Sequence, residues 1–407
     1  MQFEWSLPTQ IIFGMGRFKS THKYIRGLGK RAFVVTSRSY ANGGARSAVL
    51  DELLAQLTRL GVEHQVYSEI EPNPRTATID RGAILLREFN PRFVIALGGG
   101  SVMDAGKCLS LLAVNPGGIY EYAHRGPGRP RTPFNHALPL ICIPTIAATS
   151  SETDSYAVVT QWEEHRKVTV FGDALFPKLS IIDPELTFTV PERQTVDGAF
   201  DIITHVMESY LSSPVETPLQ DRMSEAIVET VTTALPRVLE NPHDESGRSQ
   251  LSWCASLALC GVLSGRTGGW PIHAIEHGLS AYTDVAHGRG LALLLPRVMA
   301  FDAQAIGAKI SAFNRTVFKL SASASEDPVE SIRQGLVAYM RKVGAWTKLQ
   351  DFTGQADLNT VIEQTMDHAF ETGGIWKRGE EPYLENCKNL YREGLGSILK
   401  HCATDEF

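Results

Sequence analysis

The segment FVIALGGGSVMDAGK, residues 93–107, joins an apolar run to consecutive glycines and the start of a helix. The run 93–99 is typical of a buried strand, and Asp104 lies in the first turn of the helix that follows. Glycines let the backbone approach a ligand, and the free N–H groups of a helix N-terminus bind phosphate. The segment therefore predicts a phosphate-binding turn. Because the G-x-G-x-x-G spacing is missing, tight helix packing is the alternative explanation of the glycines.

Apolar runs on both sides of this segment alternate with helical stretches, a pattern typical of a parallel sheet with crossover helices. The predicted strands are 31–37, 62–70, 93–99, 138–144 and 179–183, with predicted helices at 48–60 and 76–89. After Pro191 the pattern is helical, with breaks at Pro214, Pro218, Pro242 and Gly268-Gly269. We therefore expect an α/β dinucleotide-binding domain over 1–191 and an all-helical metal and substrate domain over 192–407.

A second polar loop, PTIAATSSE at 144–152, follows another predicted strand. The carboxyl ends of neighbouring parallel strands form the crevice in which open α/β sheets bind ligands. If both loops lie at that edge, the pyrophosphate of a nucleotide fits between them. Taken alone, the second loop is equally well explained as a polar turn.

Composition limits the classes of function. The chain has 407 residues, 43% of them hydrophobic, and a formal net charge of -6. This content is sufficient for buried cores, and the charge gives no basic surface for nucleic acid. The first ten residues have no signal-peptide core, and the most apolar later run ends at Pro296, so we expect a cytoplasmic protein without a membrane segment. The six cysteines form no C-x-x-C pair and are expected to be reduced and structural.

Two clusters in the second half carry metal-ligating side chains: Asp201-x-x-x-His205, and His273-x-x-x-His277 followed by His287. A spacing of four places two side chains on one helix face, so each pair can chelate one ion. Either pair alone could be structural, but together they predict one site. One carboxylate and imidazoles without sulfur suit Fe(II) or Zn(II). Such an ion would activate an alcohol or carbonyl oxygen for hydride transfer with a nicotinamide cofactor.

Several long motifs resemble the iron-containing alcohol dehydrogenase family. They are LSIIDPELTFTVPERQTVDGAFDIITHVMESY, WPIHAIEHGLSAYTDVAHGRGLALLLP, GGGSVMDAGK, the turn Pro72-Asn73-Pro74 and the IPT...TSSE loop. The resemblance runs from about Pro8 to Met299 and is greatest to the butanol dehydrogenase and aldehyde reductase branch. It implies a dehydroquinate-synthase-like architecture, a primary alcohol or aldehyde as substrate, NAD or NADP as cofactor, and a homodimer or larger homo-oligomer.

The resemblance also implies roles for individual residues. The implied metal ligands are Asp201, His205, His273 and His287. This leaves His277 near the metal as the catalytic group that relays the alcohol proton outward, which suits the pKa of an imidazole. The implied cofactor contacts are Asn73, Gly99, Gly100, Ser101, Thr145, Thr149 and Lys167.

Two departures from the family pattern concern the cofactor. The usual T-G-S-E becomes Thr149-Ser150-Ser151-Glu152, which places a side chain at a normally bare position. At the end of strand 31–37, NAD-preferring relatives tend to have an acid, whereas this chain has Ser37 and then Arg38. The missing carboxylate and the guanidinium both favour a 2′-phosphate, so we expect NADP. Arg38 is equally well explained as an ordinary surface residue, which leaves NAD open.

An NAD-dependent lyase or cyclase of the dehydroquinate synthase type is the alternative function. It would need Lys, Arg and Asn around the metal, whereas His273–His287 is surrounded by apolar residues, with Arg289 as the local exception. The apolar lining favours a small alcohol or aldehyde. Trp253, Trp270 and Phe301 are candidates for the wall of the substrate site, although core packing explains them equally well.

Overall fold

The structure is a computed structural model that describes residues 2–41, 45–126, 128–213, 215–266, 270–320, 327–354, 356–372 and 392–404. The predicted breaks at Pro214 and Gly268-Gly269 lie outside the described residues, as does Cys387. The other five cysteines are buried.

The strands are β1 (Gln10–Phe13), β2 (Arg31–Ser37), β3 (Glu63–Ile70), β4 (Phe93–Gly98), β5 (Leu140–Pro144), β6 (Tyr156–Gln161), β7 (Arg166–Phe171) and β8 (Leu179–Ile182). Within the described ranges, six of them form a parallel sheet in the order β1-β8-β5-β4-β2-β3. The strands β6 and β7 form a separate antiparallel hairpin. The five strands predicted from the sequence are confirmed, whereas β1 and the hairpin are additional.

The helices of the first half are α1 (Thr21–Tyr24), α2 (Arg38–Ala41), α3 (Ala45–Arg59), α4 (Thr76–Phe89) and α5 (Gly100–Leu112). Short 3-10 helices lie at Arg17–Ser20, Ile119–Tyr122, Trp162–Glu164, Asp173–Leu175 and Pro184–Thr187. The predicted helices at 48–60 and 76–89 correspond to α3 and α4.

After residue 191 the described chain is helical, as predicted. The helices are α6 (Glu192–Ser212), α7 (Pro218–Glu240), α8 (Glu245–Ala258), α9 (Pro271–Thr283), α10 (His287–Phe301), α11 (Ala303–Val317), α12 (Pro328–Ile332), α13 (Ala338–Lys342), α14 (Gln350–Thr353), α15 (Leu358–Glu371) and α16 (Arg392–Cys402). A π-helical segment, Arg333–Val337, joins α12 to α13. Across the described residues, no single helix has the length and apolarity needed to span a membrane, and the bent pair α10 and α11 meets those criteria by length and composition alone.

Contacts group the chain into two compact units. The first, here called the sheet unit, comprises Ser6–Pro191 together with Arg237–Gly261. The second, the helical unit, comprises Met1–Trp5, Glu192–Pro236 and Val262–Phe407. The division crosses α7 at Pro236, a proline inside the helix. Because α8 lies within Arg237–Gly261, it belongs to the sheet unit. Its amphipathic pattern alone does not predict this assignment.

Helices cover both faces of the sheet. Alternate residues of β2 belong to different cores: Phe33 packs with buried residues of α4 and α5, and Val34 packs with those of α3. A parallel strand buried on both faces has a nearly continuous apolar sequence. This explains why β2 and β4 could be recognised from their composition. The carboxyl ends of β4 and β5 carry the polar loops described below.

Candidate metal centre and cofactor loops

Three buried ionisable side chains follow one another along one face of helix α6. Asp201, His205 and Glu208 are spaced by four and then three residues, so they follow one another along the same side of the helix. Burying charged or polar groups is costly unless they are paired or bind a metal. Their shared burial therefore marks a candidate site inside the helical unit.

Helices α9 and α10 add two imidazoles to this face. One possible ligand atom from each of Asp201, His205, His273 and His287 lies within 4.8 Å of the others. Close packing at the start of α10 depends on Gly288, because a Cβ there would collide with the backbone carbonyl of Asp197. The structure thus brings together all four residues that the family resemblance implies as ligands.

Two buried glutamates orient the imidazoles. Glu208 pairs with Nδ1 of His273 and also accepts the backbone N–H groups of Ile272 and His273 at the N-terminus of α9. Glu276 pairs with Nδ1 of His287 at 2.5 Å. With Nδ1 engaged, each ring presents Nε2 to the cluster, an arrangement that commonly supports metal-ligating histidines.

Sequence reasoning missed both glutamates, although their spacing carried a signal. Glu208 lies seven residues after Asp201, and Glu276 lies three residues after His273. Both intervals keep the carboxylate on the helix face of a proposed ligand. Acids at such intervals from clustered histidines are therefore candidates for orienting groups.

The buried nitrogens fit a metal ion. Among the described residues, Nε2 of His273 and Nδ1 of His205 have no hydrogen-bond partner. Nδ1 of His205 lies 3.2 Å from Oδ1 of Asp201, but without hydrogen-bond geometry. A buried polar atom without a partner costs about 1–3 kcal/mol. A divalent ion would satisfy both nitrogens, and the donor set of three imidazoles and one carboxylate suits iron or zinc.

The electrostatic environments of the two rings differ. Burial, followed by the neighbouring His273, holds the pKa of His205 well below its usual value, so this ring is neutral as a ligand must be. Burial also opposes protonation of His273, but Glu208 leads a group of carboxylates that together raise the pKa of His273. The cluster therefore contains a neutral imidazole, that of His205, and a second imidazole, that of His273, whose protonation is favoured by Glu208.

His277 lies beside the four-residue cluster. It is half-buried on α9, one turn after His273, and its ring centroid is 5.8 Å from that of His287. It groups with Glu276 and His287 as a second set of neighbouring ligand atoms. A position adjacent to the cluster but outside it is compatible with the proton-relay role that the resemblance implies.

Of the three aromatic candidates for the substrate wall, Trp270 contacts two histidines of the candidate ligand cluster. Its ring lies edge-on to His273, with centroids 5.4 Å apart, and 6.2 Å from His205. It is 39% exposed. Trp253 instead packs against Phe13 in the sheet unit, and Phe301 is the last residue of α10.

In the sheet unit, the two polar loops lie side by side as predicted. Strands β4 and β5 are neighbours, and the N–H of Thr145 donates to the carbonyl of Gly98 at 3.0 Å. A Cβ on Gly100 would lie 2.5 Å from the side chain of Thr149. The glycine is therefore required where the second loop meets the N-terminus of α5.

Other predicted cofactor residues follow neighbouring strands. Asn73 lies in the loop after β3, has a φ of 49° and is buried. The Nζ of Lys167, on β7, donates to its Oδ1 at 3.1 Å. Ser37 is the last residue of β2, which pairs with both β3 and β4. The predicted contacts are thus gathered at the carboxyl edge of the sheet and the adjoining hairpin.

The environment of Arg38 contains a carboxylate that sequence reasoning missed. Nε of Arg38 donates to Oε2 of Glu69 at 2.9 Å, and a second guanidinium nitrogen also contacts that oxygen. Glu69 lies on β3, the strand next to β2. The hydroxyl of Ser37 forms a hydrogen bond with that of Ser39 at 2.9 Å. The charge of Arg38 is therefore already partly offset.

Family models match most of the chain. The family model of iron-containing alcohol dehydrogenase matches residues 8–184, and the model of the C-terminal part of that family matches residues 195–395. The chain belongs to the iron-containing alcohol dehydrogenase family. It is a metal-dependent, NAD(P)-linked alcohol dehydrogenase, which favours the main prediction over the lyase alternative. The similarity extends beyond Met299, where recognisable motifs end.

Individual relatives agree with this assignment. The chain is 33% identical to the probable NADH-dependent butanol dehydrogenase 1 of Bacillus subtilis, covering 98% of each chain. It is 28% identical to an NADPH-dependent aldehyde reductase of Escherichia coli, covering 86% of this chain and 89% of the relative. The crystal structure of NADH-dependent butanol dehydrogenase A from Thermotoga maritima has a TM-score of 0.86 at 30% identity and covers 99% of each chain. The three matches cover 98%, 86% and 99% of this chain.

Proposed function

We propose that this dehydrogenase transfers hydride between a nicotinamide cofactor and a small primary alcohol or aldehyde, with Fe(II) or Zn(II) held by Asp201, His205, His273 and His287. The observation that carries the proposal is the convergence of these four residues within 4.8 Å. The chemistry that a divalent ion supplies in such a site is polarisation of the substrate oxygen. Glu208 and Glu276 keep the His273 and His287 rings in the orientation that ligation needs.

We assign the cofactor to the loops at the carboxyl edge of the sheet. Gly99, Gly100 and Ser101 would bind the pyrophosphate at the N-terminus of α5, where backbone N–H groups and the helix dipole favour an anion. The remaining contacts in this proposal are Ser37, Asn73, Thr145, Thr149 and Lys167. Their common location is the support for this assignment.

The proton of the alcohol needs a route to solvent. His277 is half-buried, whereas His273 and Asp201 are buried, so it is placed to connect the cluster with water. An imidazole exchanges protons readily near neutral pH. We assign His277 the role of passing the alcohol proton outward during oxidation and of returning it during reduction.

The proposed substrate is a short, uncharged aldehyde or the corresponding alcohol. Trp270 offers an aromatic wall beside His273 and His205. Relatives named as butanol dehydrogenases and as an aldehyde reductase are consistent with that chemistry. A site with an apolar wall and few polar groups selects small apolar substrates.

For cofactor preference, we propose that NADP is favoured by Ser37 and Arg38 and restrained by Glu69. A 2′-phosphate must compete with Glu69 for the guanidinium of Arg38. Relatives of both cofactor classes occur, the Bacillus enzyme named as NADH-dependent and the Escherichia enzyme as NADPH-dependent. The combined effect of Ser37, Arg38 and Glu69 would therefore set the preference between NADP and NAD.

The proposal also covers the oligomeric state and the cellular location of the protein. The family resemblance leads us to propose a homodimer or larger homo-oligomer in the cytoplasm. Light scattering coupled to size-exclusion chromatography measures the assembly directly. A monomeric mass at micromolar concentration would contradict it.

The proposed activity is tested with protein loaded anaerobically with Fe(II) or Zn(II). Oxidation of NADPH and NADH is followed by absorbance with butanal and other short aldehydes. We expect turnover that needs the metal and disappears with a chelator. No turnover across the aldehydes, in protein that demonstrably binds both metal and cofactor, would contradict the proposed substrate class and favour a lyase.

A further inference from the structure

The loop after β5 contains a serine in a backbone conformation that favours glycine. Ser150 has a φ of 60° and is completely buried. Residues other than glycine, asparagine and aspartate rarely adopt this left-handed region, because Cβ crowds the following carbonyl. At this position the family pattern has glycine. A serine retained here must make compensating contacts.

The compensating contacts lie at the end of α8. The hydroxyl of Ser150 donates to the carbonyl of Ala255 and accepts the N–H of Leu259 at 3.0 Å. In a continuing helix, the N–H of Leu259 would bond to the carbonyl of Ala255 directly. The hydroxyl is therefore inserted into what would be the last hydrogen bond of α8, and it joins the loop to the helix.

Neighbouring residues strengthen the same junction. Glu152 accepts the hydroxyl of Ser256 at 2.6 Å, and the hydroxyl of Thr153 donates to the carbonyl of Ser256 at 2.9 Å. On the other side, the hydroxyl of Ser151 donates to Asp104 of α5 at 2.7 Å. The loop is thus held between two helices of the sheet unit by hydrogen bonds.

This junction bears on Thr149, which precedes Ser150. The side chain of Thr149 occupies the space beside Gly100, within 2.7 Å of where a Cβ would stand. We propose that Ser150 is a positioning residue for the cofactor, because its hydroxyl fastens the loop to α8 and thereby holds Thr149 against the glycine turn. The proposal rests on the proposed function, in which these two loops bind the nicotinamide cofactor.

The test uses Ser150→Gly in the full-length protein, with binding of NADH and of NADPH measured by fluorescence titration without substrate. Glycine adopts the same φ freely, so the fold is preserved while the hydroxyl is lost. We expect dissociation constants about five- to tenfold weaker than in the wild type, as for the loss of buried hydrogen bonds. Exchange of the Leu259 amide hydrogen should also accelerate.

Ser110→Ala is the matched control. Ser110 is buried on α5, and its hydroxyl has no hydrogen-bond partner among the residues that the structure covers. Removing it should leave both dissociation constants unchanged. Thermal unfolding followed by circular dichroism shows whether each variant is folded.

A double-variant cycle separates positioning from a general structural role. If Ser150 acts through Thr149, the Thr149→Ala/Ser150→Gly double variant binds no more weakly than Thr149→Ala alone. Fully additive losses would overturn the proposal, as would Ser150→Gly dissociation constants within about twofold of the wild type. In either case the proposed function would stand. Failure of the wild type to bind either nucleotide would instead contradict the proposed function and this inference together.

Discussion

The orientation of His273 depends on a single carboxylate. Glu208 contacts both its ring and the N-terminus of α9. Glu208→Gln retains an acceptor for the backbone N–H groups but removes the charge that supports the imidazole. We expect metal affinity to fall about 10- to 100-fold, as for other groups that orient ligands. Competition with a chromogenic chelator measures this affinity.

Glu225→Gln is the matched control for that variant. Glu225 is also buried in the helical unit, but its partners are Arg222 and Tyr210. Its substitution should lower stability without changing metal affinity. Equal affinities for Glu208→Gln and the wild type would show that Glu208 does not support a metal ligand.

The proposed role of His277 differs from that of the metal ligands, and a substitution can distinguish the two roles. His277→Ala should retain bound metal, because the four-residue cluster does not include it. Turnover should become slower and more dependent on pH, since the alcohol proton loses its relay. Metal analysis and a pH profile of kcat measure the two effects. Unchanged kinetics at every pH would remove His277 from the mechanism.

Cofactor preference should respond in opposite directions to two substitutions. Glu69→Gln frees Arg38 and should favour NADPH over NADH by no more than about fivefold, because the exposed pair contributes little energy. Ser37→Asp introduces repulsion toward a 2′-phosphate and should favour NADH. The ratio of kcat/KM values for the two cofactors measures both shifts. If neither substitution changes this ratio, the 2′ position of the cofactor does not lie near Ser37, Arg38 and Glu69.

At the scale of elements, α5 carries a half-buried acid whose ionisation opposes folding. Asp104 accepts hydrogen bonds from Ser151 and from the N–H of Val158. Burial raises the pKa of Asp104 from 3.8 to about 6, despite the opposing effects of Lys107 and these hydrogen bonds. The folded chain therefore keeps this proton at a pH where the unfolded chain has lost it.

This raised pKa makes the stability of the fold decrease as pH rises. The contribution of Asp104 to stability is fully present below pH 3.8, decreases as pH rises and is lost above about pH 6. Between those limits, the free energy of unfolding should fall by roughly 3 kcal/mol relative to Asp104→Asn. Urea unfolding of both proteins across this range measures the difference. Parallel curves would show that Asp104 titrates normally.

Some strands and helices could be predicted from the sequence, and others could not. Strands β2 and β4 are buried on both faces, so their apolar runs identify them without knowledge of their partners. Strand β1 has only four residues and pairs along one side with β8, about 170 positions later in the chain. Such a strand is defined by its partner more than by its own sequence. The same holds for α8, which forms hydrogen bonds with Ser150 and Glu152 of the loop after β5.

At the scale of the whole molecule, chemistry was more predictable than connectivity. Spacings of four along a helix predicted the pairs Asp201/His205 and His273/His277, because both members of each pair lie on one element. The contacts of Glu208 with His273 and of Arg38 with Glu69 join different elements. A local spacing can mark Glu208 as a candidate, but it does not show which residue either side chain contacts. Fold class and ligand types were therefore accessible from the sequence, whereas supporting partners required the structure.

The central claim is that Asp201, His205, His273 and His287 hold the metal on which turnover depends. Metal content by mass spectrometry and reduction of butanal are measured together, after anaerobic loading, for the wild type, His273→Ala, and His136→Ala as an exposed histidine control. We expect about one equivalent of metal per chain in the wild type and the control. His273→Ala should lose metal and activity together. Full activity in His273→Ala without bound metal would contradict the account.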